Sequence, residues 1–245
     1  IYRGQRGRMQ IEVTVTGRSC HGSMPWEGLN PLEYGGAIIA EAARRYDERD
    51  GFLDDPFLGH GSRTASWSRL ETPSDCAVPD RFTFRFDRRL TVGELPEQAR
   101  LDIEGLDAVR AARDAGLTVD VRVPVYEGAT WRGYEPGNAQ IYMGWATPAD
   151  HDAIDTAASV YESVVAPAVV PSPREDGGMR NEARIDRWIF STDGVGFPNP
   201  VDDRSISVPE TKRCVEAGDF KHPAMFCFGP RIEQNTHKIG ECVDQ

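Results

Sequence analysis

The decapeptide RFTFRFDRRL, Arg81 to Leu90, alternates phenylalanine with polar residues through Phe82, Phe84 and Phe86. Successive side chains of a strand point to opposite faces, so this stretch demands a sheet with one apolar and one wet face. A second run, RMQIEVTVT from Arg8 to Thr16, puts Met9, Ile11, Val13 and Val15 on one side. Two half-buried strands of this length need an amphipathic element laid over their apolar face.

Two segments supply that cover. Pro31 to Tyr46 reads as a helix with Leu32, Ala37, Ile38, Ala42 and Tyr46 as its apolar stripe and Arg44 and Arg45 at its C-terminal end. Thr91 to Ala115 opens with Thr91 and has Glu94 three residues later, a capping-box pattern, and Leu101, Ile103, Leu106, Val109 and Ala112 line its buried side. Arg63 to Leu70 and Thr118 to Tyr126 read as further strands, and ETPSDCAVPD, with two prolines, as the connecting loop before Arg81. The order strand, helix, strand, strand, helix, strand predicts an α+β unit of ferredoxin-like β-α-β-β-α-β type, one antiparallel sheet with two helices on one face.

From Glu127 the texture changes. A loop rich in Gly, Pro and Trp leads to an expected helix near Ala149–Val165, and short apolar strands are expected at Arg187–Ser191 and Ala224–Phe228. Such strands suit a buried sheet in a second domain. The expected division is 5–127 for the first domain and 128–245 for the second.

A net charge of −11 argues against general binding to nucleic acid or to an anionic membrane. The five cysteines (Cys20, Cys76, Cys214, Cys227, Cys242) form no CxxC, so neither a zinc ribbon nor a redox pair is indicated, and free thiols suit a reducing cytoplasm. No apolar run approaches the ~18 residues of a membrane span. The first residue is Ile1 and not methionine, which reads as part of a longer protein.

Chemistry concentrates in GRSCHGSMPWEGLNP, Gly17 to Pro31, where Cys20 and His21 stand side by side. Taken alone the pair suggests a thiol nucleophile with its base. Neighbours on a strand point apart, however, and no third, orienting group is identifiable. His60, His151 and His222 have no ligand-like spacing; each reads as a solvent-facing or capping residue.

The same fifteen residues resemble a signature of the co-catalytic zinc aminoacylase and carboxypeptidase superfamily, which includes acetylornithine deacetylase and succinyl-diaminopimelate desuccinylase. Within it the likeness is strongest to the hydrolases linked to selenium metabolism. It is carried by YRGQRGRM (Tyr2–Met9), the CHGSxPxxGxN turn (Cys20–Asn30), DPFLG (Asp55–Gly59), CAVPD (Cys76–Asp80), DRRLT (Asp87–Thr91), FSTDGV (Phe190–Val195) and FGPRIEQNTHKIGE (Phe228–Glu241). The resemblance implies a lid domain that dimerises, inserted in a catalytic domain that holds two zinc ions, with cobalt or manganese as possible substitutes. It implies hydrolysis of an amide bond in a small N-acyl amino acid or dipeptide-like molecule. His21 would be the lid histidine that reaches across the homodimer to the attacked carbonyl, its other reading being a structural strand-end histidine bonded to its own loop, and His237 would be the last metal ligand.

The sequence departs from that pattern at the other ligands. It contains no His-x-Asp and no Glu-Glu, and one histidine does not hold a catalytic zinc, so this chain alone is expected to be inactive. Arg89 aligns with a lid arginine that grips a substrate carboxylate; the other reading is a surface ion pair, and Arg88 should point to the opposite face. Ser191, Thr192 and Asp193 either bind substrate backbone or form an Asx-type turn. Cys76 stands where several relatives have a substrate-contacting asparagine, and Glu241 either orients His237 or is a solvated carboxylate. Two other functions stay open: a non-catalytic dimerisation or binding protein, and one polypeptide of a split enzyme.

Overall fold

A computed structural model describes residues 1–135, 137–168, 182–192, 194 and 224–228. Strands β1 (Tyr2–Gln5) and β2 (Gly7–Thr16) lead to the short β3 (Cys20–His21) and helix α1 (Pro31–Asp47). Then come β4 (Asp54–Asp55), β5 (Gly59–His60), β6 (Ser62–Glu71), β7 (Ala77–Val78) and β8 (Arg81–Leu90). Helices α2 (Pro96–Glu104) and α3 (Asp107–Asp114) precede β9 (Thr118–Arg122), β10 (Ile141–Tyr142), β11 (Trp145–Ala146), α4 (Asp152–Val160) and β12 (Asp186–Trp188).

The main sheet is antiparallel throughout. β8 lies between β2 and β6, and the far edge of β2 carries β10 at Arg8 and Met9 and β9 along Glu12–Thr16. Its order, β9-β2-β8-β6, is the split β-α-β arrangement expected from the sequence. β2 and β8 pair over all ten residues, Gly7 opposite Leu90 and Thr16 opposite Arg81. That register stacks Met9, Ile11, Val13 and Val15 beside Arg88, Phe86, Phe84 and Phe82, all buried on the helix-covered face. Ile38 and Ala42 of α1, Ala99 and Ile103 of α2, and Val109 and Ala112 of α3 close that core.

Helix α1 starts where the sequence expects it. Pro31 occupies the first turn, where its missing N–H costs nothing, and the Asn30 side chain accepts from Leu32 N at 3.1 Å. The single helix expected over Thr91–Ala115 is instead two. α2 begins at Pro96, and the chain breaks at Gly105–Leu106 because the Glu41 carboxylate reaches over from α1. It accepts from Asp107 N (3.1 Å) and Ala108 N (2.7 Å), capping α3 from outside its own sequence. The capping box also differs. Glu94 accepts from Thr91 N at 2.7 Å, but its carboxylate is drawn inward to Arg88, so it tightens a turn before Pro96 and does not start a helix.

The strand expected to Tyr126 ends at Arg122, and the helix expected over Ala149–Val165 is α4 followed by a π-helical turn at Tyr161–Val165. β12 covers the first part of the strand expected at Arg187–Ser191. Of Ala224–Phe228, Cys227 makes a single bridge to Tyr2. A small second sheet, β11-β1-β12, holds β1 between an antiparallel and a parallel neighbour. No helix among the described residues is long and apolar enough to cross a membrane.

On the polar face, Glu12 is walled in by Arg85 (2.7 Å) and Arg122 (2.6 Å). Burial pushes its carboxyl up, but the bonds from Arg122 and Arg85 outweigh that and leave it below the usual carboxylate range. A folded-state pKa below the unfolded one stabilises at pH values above the unfolded pKa and is lost as pH falls through the folded pKa. Glu12→Gln should therefore lower stability by about 1 kcal/mol at pH 7. The difference from wild type should shrink below about pH 4, as followed by denaturant unfolding across pH. Glu41→Ala should cost about 1 kcal/mol through loss of the α3 cap, whereas Glu41→Gln, which keeps an acceptor oxygen, should cost less in the same assay.

Candidate functional site

His21 sits on a braced turn at one end of the main sheet. β3 pairs with β7, His21 opposite Ala77, and Gly22 N donates to Cys76 O at 2.7 Å. A Cβ on Gly22 would lie 2.5 Å from that carbonyl oxygen, so only glycine allows the approach. Beyond it, Met24 N donates to His21 O (2.9 Å), Gly28 N to Pro25 O (3.1 Å), and Arg18 and Leu29 exchange backbone bonds. The Cys20 thiol donates to Met24 O at 3.2 Å, inside the turn.

The His21 ring is exposed. Its Nδ1 accepts from Ser23 N at 3.1 Å and lies 2.8 Å from Ser23 Oγ. A backbone N–H can only donate, so in the neutral ring the Nδ1 lone pair is engaged and the proton belongs on Nε2. The arrangement is a histidine held by its Nδ1, with an Nε2–H donor left over. Cys20 and His21 thus take separate partners, as the strand alternation requires. Cys76 is exposed beside them, joined to the same turn through its carbonyl.

Arg89 lies at the other end of β8. It is eight residues beyond Arg81, about 26 Å at ~3.3 Å per residue. Its Nε donates to Asp87 Oδ1 at 2.7 Å, and Arg8 Nε reaches Asp87 Oδ2 at 3.1 Å, all three on the polar face. Arg88 points the other way, as expected: its side chain is 2% exposed, paired with Glu94 at 2.5 Å and stacked 4.0 Å over the Phe52 ring.

Ser191 and Thr192 follow β12 and are tied to the junction between the two sheets. Ser191 Oγ donates to Arg6 O (3.3 Å), and Thr192 N donates to Gln5 Oε1 (2.9 Å). Gly194 N donates to Thr192 Oγ1 (3.3 Å), which also lies 3.6 Å from the Cys227 thiol. Because Arg8 is opposite Arg89, these residues and Arg89 share one end of the main sheet, and His21 occupies the opposite end. Sequence reasoning missed Gln5, fully buried, whose amide oxygen orients the Thr192 backbone. Nothing in the local pattern marks it, since glutamine is ordinarily an exposed residue. Asp193, His237, Glu241 and His222 lie outside the described residues.

Burial followed by the nearby Tyr126 hydroxyl pushes the Tyr142 phenol up to about 12, so it stays protonated beside Arg8 at neutral pH. His151 caps α4, its Nδ1 accepting from Ala153 N at 3.1 Å. Among the described residues no three His, Cys, Asp or Glu side chains gather where they could hold a metal ion.

The peptidase dimerisation domain pattern matches residues 3–113. Over 197 residues, 80% of this chain and 43% of the relative, the chain is 35% identical to the uncharacterized protein YgeY of Escherichia coli K12, and equally to that of strain O157:H7. It thus spans less than half the length of the curated relatives it matches. Among solved structures, aminopeptidase PepT of Bacillus cereus superposes with a TM-score of 0.51 at 12% identity, over 79% of this chain and 41% of that one. A tripeptidase of Staphylococcus aureus gives 0.50 at 13% identity with the same coverage. At these identities the structural likeness speaks to fold, and it agrees with the split β-α-β sheet and the one-sided helices. Residues 3–113 match the peptidase dimerisation domain of M20 type, and the fold of the chain is similar to that of the two peptidases.

Proposed function

We propose that this chain provides the lid (5–127) and the trailing part of the catalytic domain (128–245) of a metal-dependent amidohydrolase that works as a homodimer. Its substrates would be small N-acyl amino acids or dipeptide-like amides. The observation that carries the reading is the separation of the candidate residues. His21 stands at one end of the sheet, exposed and held by its Nδ1, while Arg89, Ser191 and Thr192 gather at the other end. A donor so far from its own chain's candidate residues is suited to serving a second copy.

In that role His21 Nε2–H donates to the oxyanion that forms on the attacked amide carbonyl, and Ser23 holds the tautomer and ring angle ready for it. Zinc enters the reading through the resemblance alone. The described residues do not by themselves fit a metal, His237 lies outside them, and the roles assigned to this chain are those of its own side chains. In this reading Ser191 and Thr192, the latter held by Gln5, bind substrate backbone. For Arg89 the contacts support the ion-pair reading, since a substrate carboxylate would have to displace Asp87. The free thiols Cys20, Cys76 and Cys227 support a reducing cytoplasm as the compartment.

The second copy has a place to dock. Thr64 to Leu70 of β6 are exposed, and no strand among the described residues pairs with the outer side of β6. Ten residues of open edge, with Trp67 and Leu70 about half exposed, suit pairing with the same strand of another chain.

In the intact enzyme, His21→Ala should lower kcat by about 10²–10³-fold on N-acyl amino acids, with metal content unchanged. Mixing that variant with one inactivated at the metal site should recover part of the activity, because one hybrid site then has both halves. Unchanged turnover in His21→Ala would remove the catalytic assignment and leave the dimerisation module as the function.

A further inference from the structure

The two edges of the main sheet are treated differently. β9 pairs with β2 through Glu12–Thr16, so its other side faces outward, and no strand among the described residues covers it. In an antiparallel ladder, alternate residues turn both backbone groups toward the partner or both away. Val119 and Val121 share one parity, opposite Val15 and Val13. Their carbonyls are taken by side chains and not by β2: Arg113 Nη2 donates to Val119 O at 2.9 Å, and Arg100 Nη1 to Val121 O at 3.2 Å.

Neither arginine reaches the strand by chance. Arg100, on α2, is held by Glu97 (2.7 Å) and Glu104 (2.5 Å). Glu104 also accepts from Arg113 on α3 at 3.2 Å. The carboxylates aim two planar, permanently charged forks along the strand edge. Strand pairing needs those same carbonyls, and an incoming strand would have to displace two guanidinium groups that Glu97 and Glu104 hold in place. Among the described residues no such guard stands on β6, whose exposed side chains from Thr64 to Leu70 include one cation, Arg69, that leans toward Glu71.

We propose that Arg100 and Arg113 are edge guards that close β9 to strand pairing, leaving β6 as the edge through which two copies of this chain meet, so that association stops at two. This rests on the reading of β6 given above. A sheet with both edges open would add copies at β9 as well as β6 and grow without closing. The partner is a second copy of this chain; the guards decide which side it can take.

Sedimentation velocity on the full chain tests it. Wild type should sediment as a species of two chains from micromolar to hundreds of micromolar. Arg100→Gln/Arg113→Gln, with an unchanged far-UV circular dichroism spectrum, should at least double the sedimenting mass, increasingly with concentration. Adding Ser66→Lys/Ser68→Lys, which charges the β6 edge, should return that variant to two chains, now joined through β9. On the wild-type background the same lysines should give single chains. A folded double glutamine variant that sediments as wild type does overturns the proposal. If that variant fails to fold, Glu97→Gln/Glu104→Gln keeps both arginines but removes what aims them, and must show the same growth. A wild type that stays monomeric refutes the β6 reading alone. The guards are then judged by whether their removal creates a dimer, and its absence counts against them.

Discussion

Ten consecutive residue pairs between β2 and β8 organise everything else in the chain. Because side chains alternate, that one register decides that Phe82, Phe84 and Phe86 meet Val15, Val13 and Ile11 under the helices. It equally decides that Arg88 enters the core while Arg89 stays on the wet face. A slip of β8 by one residue would exchange its two faces, burying Asp87 and Arg85 and exposing three phenylalanines. The same ladder separates the His21 turn from the Arg89 and Ser191 end by the length of a ten-residue strand, which is why a single chain cannot bring them together.

Charge in this fold is mostly internal bookkeeping between elements. Arg88 is tolerated at full burial because Glu94 and the Phe52 ring both meet it. Arg63, beside it, is brought down to about 10, first by burial and then by Arg88, and its Nη2 donates to Ala42 O near the end of α1. Glu41 acts on α3, Glu12 joins three strands, and Glu104 joins two helices to β9. Planar guanidinium groups suit this use, because their donors are fixed in a fork that can meet a carbonyl and a carboxylate in set directions.

The regular parts of the lid were legible in the sequence because period-two and period-3.6 patterns report directly which face is buried. Arg81–Leu90 matches its strand residue for residue, and Pro31–Tyr46 falls one short of its helix. What escaped was set by residues distant in the chain. The break between α2 and α3 depends on Glu41, some 65 residues earlier. The failure of the capping box depends on Arg88, which claims Glu94. Around the site, the His21 turn was found by its motif, since glycine, proline and asparagine mark such turns. Gln5 was not, because a lone glutamine in a strand gives no sign that it is buried or what its amide will hold. Nor could the reach of Arg100 and Arg113 to β9 be foreseen, since helical periodicity assigns them to a solvent face.

Arg6 is the one residue between β1 and β2, and so between the two sheets. It is fastened on three sides: its guanidinium to Leu58 O (2.7 and 2.9 Å), its amide to Trp188 O (3.3 Å), and its carbonyl to Ser191 Oγ. A continuous backbone crossing from one body to another would ordinarily be a free pivot, with two torsions open to rotation. Here the pivot is bolted to both sides, so a lid swinging about this crossing has to loosen Ser191 as it turns. The backbone passing between the sheets and the segment leading to Thr192 are thereby fastened to each other at this residue.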